Sequence, residues 1–488
     1  MPTLSEMVQR WQGDDVALRT FEGDWSWAEL HGRIGGAARW LQGRLPAGIV
    51  TPCLLSATPA SYAWVLGGAA ATRPLAPLGT RLTVAELAAC IEPAHDTLLV
   101  DEVNAALGME VGRSVGVDVV VLDMPPFESA VVDPLSPDDV AFVVYTSGTS
   151  GRPKPVAYQQ GVAGTRAQLL CDLCGFGPDA VYATSSPFQH VAGFAGAVSA
   201  LAAGSAVVPV ERFSTDAWSS FSELGVTHAL LVPTMIDMLL EAGVLVTSTL
   251  RSLTYGAAPM PLVTLRALLS AAPELLIVQL FGQTEGTPLT ALTADDHRNA
   301  RREPGLLGTV GRAVPGVELL VHEPDQDGIG ELWARGRHLA RSDDTDGWLH
   351  TGDLGSLDRA GRLRLHGRRA DRIVRGGENV DPAEVEAVIA RHPAVAEVAV
   401  VGVPDERWGQ VVTAWIVPGS EGPTPDPAEL RTHARQSLAG FKVPTAWHLV
   451  DSLPRNGAGK LLRRQLVTTH GSVDTGPIET DHAEQGGA

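Results

Sequence analysis

The stretch that decides the fold is Val140-Ala-Phe-Val-Val-Tyr-Thr-Ser-Gly-Thr-Ser-Gly-Arg-Pro-Lys154. Its first six residues, 140–145, predict a buried strand because they are almost entirely apolar. The strand leads into a loop of hydroxyl groups and glycines that ends at a lysine. Glycines let backbone N–H groups turn toward an anion, hydroxyls donate further hydrogen bonds, and the lysine adds positive charge. The stretch therefore predicts a strand that delivers a polyphosphate-binding loop.

The loop differs from the Walker A phosphate loop, which needs a Gly-x4-Gly-Lys-Ser/Thr pattern that leads into a helix. Gly457-Ala-Gly459-Lys460 does not complete that pattern either, because Leu461 stands where Ser or Thr is required. Taken alone, the stretch after Tyr145 is also compatible with an ordinary surface loop rich in Ser and Gly. Other segments of the chain have to decide between these two interpretations.

Apolar runs elsewhere predict that the strand belongs to a larger parallel arrangement. Residues 27–41 place apolar side chains at helical spacing, so helices alternate with strands along this part of the chain. Buried strands between helices are typical of parallel sheets. Several strand ends are followed directly by Gly, Pro or Thr, as ligand-facing ends commonly are. The further strands are predicted at 98–100 and 117–122 and as runs that end at Val232, Tyr255 and Phe281.

Bulk properties narrow the class of protein. The 488 residues exceed one ordinary core, and 44% hydrophobic residues with a mean hydropathy of +0.07 allow a large folded interior. The chain has a formal charge of −19 and lacks the excess of basic residues with which duplex-binding proteins neutralise phosphates. We therefore expect no nucleic-acid partner. Small anionic ligands remain compatible with local amides and a few basic side chains.

Cysteine content and the N-terminus predict a soluble, cytoplasmic protein without a membrane partner. Four cysteines make no disulfide framework, and Cys171 and Cys174 are interpreted as two buried thiols on a helix. The start Met1-Pro-Thr-Leu-Ser-Glu6 lacks the basic and apolar segments of a signal peptide. The uncharged residues 192–210 are rich in Gly, Ala and Ser, and predict a buried helix that leads into a strand.

The pattern changes to that of a smaller unit after about residue 367. Asp381-Pro-Ala-Glu384 predicts a helix start, with an Asp N-cap, proline in the first turn and Glu three residues after the cap. Residues 395–403 and 411–417 predict strands, and the last clear pattern ends at Arg463.

We therefore predict an α/β protein with two domains. The predicted parts are a large N-terminal domain with mixed and parallel sheets flanked by helices (1–367), a hinge (368–371), a small mobile C-terminal α+β domain (372–467), and a disordered tail (468–488).

Six segments, in order, resemble the motifs of the acyl-adenylate-forming superfamily, which includes acyl-CoA synthetases, beetle luciferases and peptide-synthetase adenylation domains. Residues 145–154 resemble the phosphate loop of that family. Six motifs in the family's order, over about residues 15–465, are far more specific than any one of them. The other five are Tyr255-Gly-Ala-Ala-Pro259, Leu280-Phe-Gly-Gln-Thr-Glu285, Gly347-Trp-Leu-His-Thr-Gly-Asp353, Gly367-Arg-Arg-Ala-Asp371 and Leu453-Pro-Arg-Asn-Gly-Ala-Gly-Lys460.

The resemblance implies an ATP site. Thr284 would reach the α-phosphate, and Glu285 would ligate Mg²⁺, a hard ion that prefers carboxylate and phosphate oxygens. Asp353 would accept hydrogen bonds from the ribose hydroxyls, with Arg368 beside it. Phe281 would stack on adenine, where the family usually has Tyr. The other implied ATP or AMP contacts are Thr146, Ser147, Gly148, Thr149, Ser150, Gly151, Lys154, Gly256, Ala257, Ala258 and Gly282.

The implied catalytic group is Lys460, which would bridge the attacking carboxylate and the α-phosphate. Two anions meet in this step, so Lys460 and Mg²⁺ chiefly offset their repulsion, and no general base is needed for an ionised carboxylate. An ordinary surface lysine is the alternative. His190 matches a histidine near the acyl pocket of many CoA ligases, with a structural histidine as the alternative. Phe188 and Gln189 lack the charge that amino-acid-activating relatives place near this segment.

A second set of residues resembles the thiol site of CoA ligases. Arg375-Gly-Gly-Glu-Asn379 resembles the loop that lines the pantetheine tunnel, where glycines let a thin chain pass close to the backbone. Basic residues that some relatives place after Lys442 are absent, so a carrier-protein pantetheine arm stays an alternative to CoA. The implied CoA contacts are Arg375, Gly376, Gly377, Glu378, Trp408, Phe441 and Lys442.

Three departures from the family pattern bear on function. Members of the family rotate the small domain between one pose for adenylation and another for thioester formation. Ala370 stands at the pivot of this rotation, where the family usually has Asp or Lys, so the equilibrium between the two poses could differ. Pro155 follows Lys154 where Gly is common. The stretch between Gly336 and Gly347 is shorter than usual, which favours either a trimmed surface loop or an altered ATP site.

The predicted function is that of an acyl-CoA ligase that activates a carboxylic acid with ATP, through an acyl-AMP intermediate, and transfers the acyl group to CoA. The cofactors are ATP, Mg²⁺ and CoA. One alternative is an enzyme impaired in adenylation that mainly thioesterifies a supplied acyl-adenylate. More remote alternatives are a partner subunit that binds nucleotide or carrier protein, and luciferase-like oxidation. The acid and the oligomeric state stay open, and secondary metabolism is the predicted setting.

Overall fold

The computed structural model describes residues 1–128, 135–146, 153–340, 346–375, 378–405, 407–419, 424–455 and 461–470. The chain divides into two compact units: 1–351 with 355–365, and 352–354 with 366 onward. The finer predicted division into a hinge at 368–371, a lid at 372–467 and a tail stays a prediction, and residues 471–488 of the tail lie outside the described residues.

The described residues form helices in both units. In chain order they are α1 (Leu4–Gln9), α2 (Trp27–Gln42), α3 (Pro59–Ala70), α4 (Val84–Ala88), α5 (Ala105–Val115), α6 (Gln160–Cys174), α7 (Phe194–Ala202), α8 (Thr215–Ser219), α9 (Pro233–Glu241), α10 (Leu262–Ala271), α11 (Ala294–Asn299), α12 (Pro382–Ile389), α13 (Pro427–Arg435) and α14 (Arg463–His470).

The strands belong to four sheets. In chain order they are β1 (Val16–Arg19), β2 (Asp24–Ser26), β3 (Thr51–Leu54), β4 (Leu75–Pro77), β5 (Thr97–Asp101), β6 (Asp118–Leu122), β7 (Val140–Thr146), β8 (Lys154–Gln159), β9 (Val181–Thr184), β10 (Ala206–Pro209), β11 (His228–Leu231), β12 (Ser252–Gly256), β13 (Leu276–Gln283), β14 (Gly286–Leu292), β15 (Arg312–Ala313), β16 (Val317–His322), β17 (Gly330–Gly336), β18 (Leu349–Leu357), β19 (Leu363–Arg368), β20 (Ile373–Arg375), β21 (Glu378–Val380), β22 (Val395–Asp405), β23 (Gly409–Pro418) and β24 (Ala446–Leu449).

The stretch that opened the sequence analysis forms the edge of a six-stranded sheet of order β6-β5-β3-β4-β7-β8. The pairs β3–β4, β3–β5, β4–β7 and β5–β6 are parallel, whereas β7 and β8 are antiparallel. The predicted strands at 98–100, 117–122 and 140–145 are confirmed as parts of β5, β6 and β7. The strands on either side of the phosphate loop are therefore paired with each other at the sheet edge.

A nine-stranded sheet carries the other predicted strand ends. Its order is β15-β14-β13-β12-β11-β9-β10-β1-β2, with parallel pairing from β13 through to β1 and antiparallel pairs at both ends. The mixed sheets flanked by helices confirm the predicted fold class. The predicted helix and strand within 192–210 are α7 and β10.

Close helix packing covers the six-stranded sheet. Helices α2 and α3 pack on each other, and a Cβ at Gly67 would come 2.6 Å from Ala37 Cβ, so only glycine permits this approach. Cys171 and Cys174 both lie on α6 as free thiols, with Cys174 buried. No helix in the described part of the chain is long and apolar enough to cross a membrane. The predicted cytoplasmic location stays a prediction.

The second unit is built on a five-stranded sheet. Its order is β21-β20-β23-β22, and β24 pairs with β23 in parallel. Helix α12 begins after the N-cap Asp381, whose side chain accepts from Ala383 N at 2.9 Å, so the predicted helix start is confirmed. Helix α14 begins at Arg463, where the last clear sequence pattern ends, and it extends past the predicted domain boundary at 467. Its buried contact is mainly Leu466, and one apolar position leaves no periodic signal.

Histidine burial in the first unit predicts that its stability falls in acid. Burial lowers the pKa of His228 from 6.5 to about 4, and its Nδ1 lies 2.8 Å from Thr227 Oγ1. Below pH 6.5 the unfolded chain therefore binds more protons at this residue than the folded chain, and the free energy of unfolding falls toward about pH 4. We expect His228→Asn to flatten this slope, measured by urea denaturation of both proteins at several pH values. Equal slopes would contradict the assignment.

Candidate active site

The two ends of the predicted phosphate loop are held together by the β7–β8 hairpin. Thr146 pairs with Lys154 across the two strands, and its hydroxyl donates to the Lys154 carbonyl at 3.4 Å. Lys154 is exposed at the first position of β8. Ser147, Gly148, Thr149, Ser150 and Gly151 lie outside the described residues. The hairpin fixes where the loop leaves and rejoins the sheet.

The predicted adenine turn follows β12. Tyr255 is fully buried, and its hydroxyl bonds His297 Nε2 at 3.0 Å and Gln279 Oε1 at 3.3 Å. A Cβ at Gly256 would come 2.4 Å from the Leu280 carbonyl, so the next strand can approach only a glycine. Ala257 has φ +66°, a left-handed conformation that strains a residue with a side chain. Ala258 follows, half-buried.

The segment that carries Phe281, Thr284 and Glu285 begins on the neighbouring strand. Strands β12 and β13 are parallel and pair Gly256 with Leu280, so the adenine turn and Phe281 lie side by side at one sheet edge. Gly282 lies near the end of β13, where a Cβ would come 2.5 Å from the Gly286 carbonyl. The structure thus brings together two of the motifs predicted to bind nucleotide.

Hydrogen bonds fix the backbone at Thr284 and Glu285. The hydroxyl of Tyr158, on β8, donates to the Thr284 carbonyl, and the Ala340 amide donates to the Glu285 carbonyl at 2.8 Å. The first bond links the outgoing strand of the phosphate hairpin to the Thr284 turn. The Glu285 side chain is half-buried, and no basic side chain in the described ranges forms an ion pair with it.

Sequence reasoning missed Tyr158. Burial raises the pKa of its hydroxyl to about 12, so it stays a neutral donor, and its ring stacks on Phe142 at 5.0 Å. The contact with Thr284 joins residues 126 positions apart and two different sheets, which no local pattern reveals. The available signal was a hydroxyl-bearing residue on the apolar face of a short strand, since Val156 and Tyr158 alternate as buried positions.

His190 lies in the loop between β9 and α7. Burial lowers the pKa of its imidazole, so the ring is neutral near pH 7 and offers a hydrogen bond, not a charge. Phe188 is instead a core residue, with its ring 5.2 Å from those of Tyr62 and Phe194. Gln189 is half-buried.

Asp353 and Arg368, both in the second unit, form the predicted pair. Arg368 Nε lies 3.0 Å from Asp353 Oδ1, with side-chain exposures of 39% and 12%. The guanidinium thus fixes the orientation of a buried carboxylate through a charge-assisted contact. Ala370 is exposed in a one-turn 3-10 helix, Arg369–Asp371, directly after this pair.

The predicted thiol-site residues of the second unit contact one another. Arg375 Nη1 donates to the Phe441 carbonyl at 2.8 Å, and its guanidinium lies 5.6 Å from the ring of Trp408. Trp408 is 41% exposed, which is unusual for so large a ring. Lys442 Nζ contacts both carboxylate oxygens of Glu384, at 2.7 and 2.8 Å.

Four further predicted residues belong to the second unit, and the structure describes one of them. Glu378 pairs with Arg375 across β20 and β21. Gly376, Gly377 and Lys460 lie outside the described residues. Arg455 and Leu461, the described residues nearest to Lys460 in sequence, form a bridge, and the Leu462 amide donates to the Pro454 carbonyl at 2.8 Å.

The distribution of lysines also separates these positions from the rest of the chain. Only three of the 37 basic residues are lysines, and they are Lys154, Lys442 and Lys460. All three belong to the predicted ATP, CoA or catalytic sets. Every other basic position carries arginine.

Comparison with known proteins supplies the family. Residues 4–342 match the family described as AMP-binding enzyme, and residues 384–460 match the AMP-binding enzyme C-terminal domain. The chain is 33% identical over 410 residues to a 2-succinylbenzoate–CoA ligase of Bacillus licheniformis, covering 80% of this chain and 83% of that protein. It is 35% identical over 358 residues to the fatty acid–acyl-carrier-protein ligase ScoC of Streptomyces coeruleorubidus, covering 68% of each.

A solved structure extends the similarity to nearly the whole chain. The o-succinylbenzoate CoA synthetase MenE of Bacillus subtilis, in complex with the acyl-adenylate intermediate OSB-AMP, superposes with a TM-score of 0.84 at 27% identity. The superposition covers 96% of this chain and 98% of that one. The predicted resemblance to acyl-adenylate-forming enzymes is confirmed, and the chain belongs to the AMP-binding enzyme family.

Proposed function

We propose that this protein is an AMP-forming acyl-CoA ligase. A carboxylate attacks the α-phosphate of ATP, which gives an acyl-adenylate and pyrophosphate. A thiol then attacks the acyl carbon, which gives a thioester and AMP. The observation that carries the proposal is the adjacency of the adenine turn at Gly256 and the Phe281–Glu285 segment, tied by Tyr158 to the phosphate hairpin.

The chain's own groups suit the first step. Lys154 and the amides of the loop before it would hold the β- and γ-phosphates, and Thr284 would contact the α-phosphate. The half-buried carboxylate of Glu285 forms no ion pair within the described ranges, and such a hard oxygen ligand fits Mg²⁺. Bound with ATP, Mg²⁺ would offset the negative charge of the phosphates. Asp353, oriented by Arg368, would hold the ribose hydroxyls.

We propose that one charged group and one neutral group contact the acid substrate. Lys460 would bring its ammonium group to the carboxylate and the α-phosphate, where two anions must approach each other. The neutral imidazole of His190 would line the acyl pocket without attracting a second carboxylate. This arrangement favours an acid that carries no positive charge near its reacting group.

The second step uses the cluster of Arg375, Trp408, Phe441 and Lys442. CoA is the favoured acceptor because the indole of Trp408 and the ammonium of Lys442 suit a pantetheine chain that ends in a phosphorylated nucleotide. A carrier-protein thiol is the second candidate acceptor, since the relative ScoC is a fatty acid–acyl-carrier-protein ligase.

Lys442 tests whether the protein contacts the nucleotide part of CoA. We expect Lys442→Ala to raise the KM for CoA about tenfold, since a charge-assisted hydrogen bond contributes about 1.5–3 kcal/mol. The KM for pantetheine, which has no nucleotide, should stay unchanged. Glu384→Gln is the matched control, because it releases Lys442 from its partner and should leave the KM for CoA equal or lower. Equal losses with CoA and pantetheine would contradict a contact to the nucleotide.

Ala370 tests the alternative in which only thioesterification runs. The CoA ligases among the relatives favour the complete reaction over this alternative and over the partner-subunit role. Because Ala370 is exposed, Ala370→Asp should change either half-reaction by no more than about threefold, as surface substitutions shift free energies by about 0.5 kcal/mol. A large gain in adenylation by the variant would instead show that alanine at the pivot impairs that step.

The proposed function is tested with purified protein and a panel of aryl and aliphatic acids. Pyrophosphate release from ATP measures adenylation, and acyl-CoA formation from synthetic acyl-adenylates measures the second step. Both steps should run with the same acid. Thioester formation alone would favour the specialised enzyme, and binding of nucleotide without turnover would favour the partner-subunit role.

A further inference from the structure

Arg166 is a buried cation that the proposed mechanism does not use. It lies on α6, is 5% exposed, and no carboxylate within the described ranges is at ion-pair distance from it. Burying a guanidinium costs several kcal/mol unless its N–H groups find acceptors. The acceptors of Arg166 should therefore reveal why the chain keeps a charge there.

The acceptors come from two separate segments of the proposed site. Arg166 Nε donates to the Thr287 carbonyl at 3.0 Å, directly after the Thr284–Glu285 turn. Nη1 donates to the Ala195 carbonyl at 2.8 Å and to Ser199 Oγ at 3.0 Å, and Nη2 reaches the Val191 carbonyl at 3.5 Å. Val191 follows His190. One planar group thus spans the acid-binding loop and the phosphate-contacting turn.

Other buried side chains hold the same turn. Tyr158 donates to the Thr284 carbonyl, and His338, 2% exposed, bonds the Pro288 carbonyl through Nε2 at 2.7 Å. These contacts fix the turn against its surroundings. Arg166 differs from them because it alone also bonds the segment next to His190, so it sets the distance between the two.

We infer that Arg166 is a positioning residue for adenylation, which holds the His190 loop and the Thr284–Thr287 segment in register. The inference rests on the proposed function. Before the first step, the carboxylate and the α-phosphate are separate anions, and their approach depends on the alignment of these two segments. In the acyl-adenylate they are joined by a covalent bond, so the second step needs this alignment far less.

The positioning role depends on the planar guanidinium, whose N–H donors point in different directions. Lysine keeps the charge but presents its donors from one point, so it cannot bond both segments. Arg166→Lys should lower the kcat of pyrophosphate release about 30-fold or more, with the KM for ATP within about threefold. Thioester formation from a supplied acyl-adenylate should fall less than about fivefold. Ser199→Ala, which removes one acceptor, serves as a milder variant that is expected to fold and to show the same pattern with a smaller loss.

Arg73 supplies a matched control. It is half-buried and bonds the Leu45 and Ala71 carbonyls and Thr72 Oγ1, at 3.1, 2.7 and 3.1 Å, away from the proposed site. Arg73→Lys likewise removes guanidinium hydrogen bonds to backbone carbonyls, and it should leave the rates of both half-reactions within about threefold of those of the unmodified protein. If Arg73→Lys matches Arg166→Lys, or if Arg166→Lys slows both half-reactions equally, the positioning role is overturned.

Hydrogen exchange separates this inference from the proposed function, because it needs no turnover. Arg166→Lys should speed exchange at the Gly193 amide, which bonds the His190 carbonyl, and at the Ala340 amide, which bonds the Glu285 carbonyl. Faster exchange at both, in a protein without ligase activity, would support the link between segments and refute the ligase. Exchange that changes only within α6 would refute the link, whatever the activity.

Discussion

Lys460→Ala is expected to lower pyrophosphate release by about 10²-fold or more while acyl transfer from a supplied acyl-adenylate stays within about threefold. The reason is the charge of the reactants. The attacking carboxylate and the phosphates of ATP are all anionic, and a single ammonium group between them stabilises the charge that concentrates in the transition state. Once the acyl-adenylate has formed, pyrophosphate has left and this repulsion no longer exists.

The measurement is a pair of assays on one preparation, with Lys460→Arg as the control that keeps the charge and changes its geometry. Arginine should restore only part of the first step, because its broad planar group cannot occupy the position of a compact ammonium. A loss of both half-reactions to the same extent would contradict the role, and would favour a general effect of Lys460 on the fold of the second unit.

The second large effect concerns stability. Arg463→Ala is expected to lower the free energy of unfolding of the second unit by roughly 3 kcal/mol, the lower end for a broken buried pair. Arg463 contacts both carboxylate oxygens of Glu386, whose side chain is 17% exposed, and donates to the Val400 carbonyl at 2.8 Å. Removing the guanidinium leaves a carboxylate with little access to water.

The same pair protects an edge of the sheet. The Val400 amide donates to Glu386 at 2.7 Å while its carbonyl accepts from Arg463, so helices α12 and α14 satisfy both backbone groups of this residue. Urea denaturation followed by the tryptophans of the second unit measures the loss. Arg455→Ala is the control in the same unit, because its pair with Glu397 is 36% and 44% exposed and should contribute less than about 1 kcal/mol. Similar losses for the two variants would contradict the argument from burial.

Strand ends were the part of the fold that the sequence predicts best. The runs that end at Tyr255 and Phe281 are apolar, short and closed by glycine, and the structure has them as neighbours in one parallel sheet. This adjacency could be expected because ligand-facing ends of parallel strands meet at one edge. The pairing of β7 with β8 as an antiparallel hairpin could not, because the apolar run at 140–145 has no signal for strand direction.

The contacts that hold the site were beyond prediction for a different reason. Tyr158 and Arg166 act through backbone carbonyls, and a carbonyl leaves no trace in the residue type that carries it. Their partners, Thr284 and Thr287, lie more than a hundred positions away in the chain. The motifs therefore identify which residues meet the substrates, whereas the residues that align those motifs become visible only in three dimensions.

The scarcity of lysine has a practical consequence for chemical labelling. Apart from the N-terminus, a reagent that acylates amines finds only Lys154, Lys442 and Lys460, since protonated guanidinium groups do not react with it. One mass spectrum of a single digest can thus report on three separate positions of the reaction cycle. ATP, CoA or an acyl-adenylate, added before the reagent, should each leave its own pattern of protected amines. An ordinary, non-selective reagent becomes a footprinting tool for this chain.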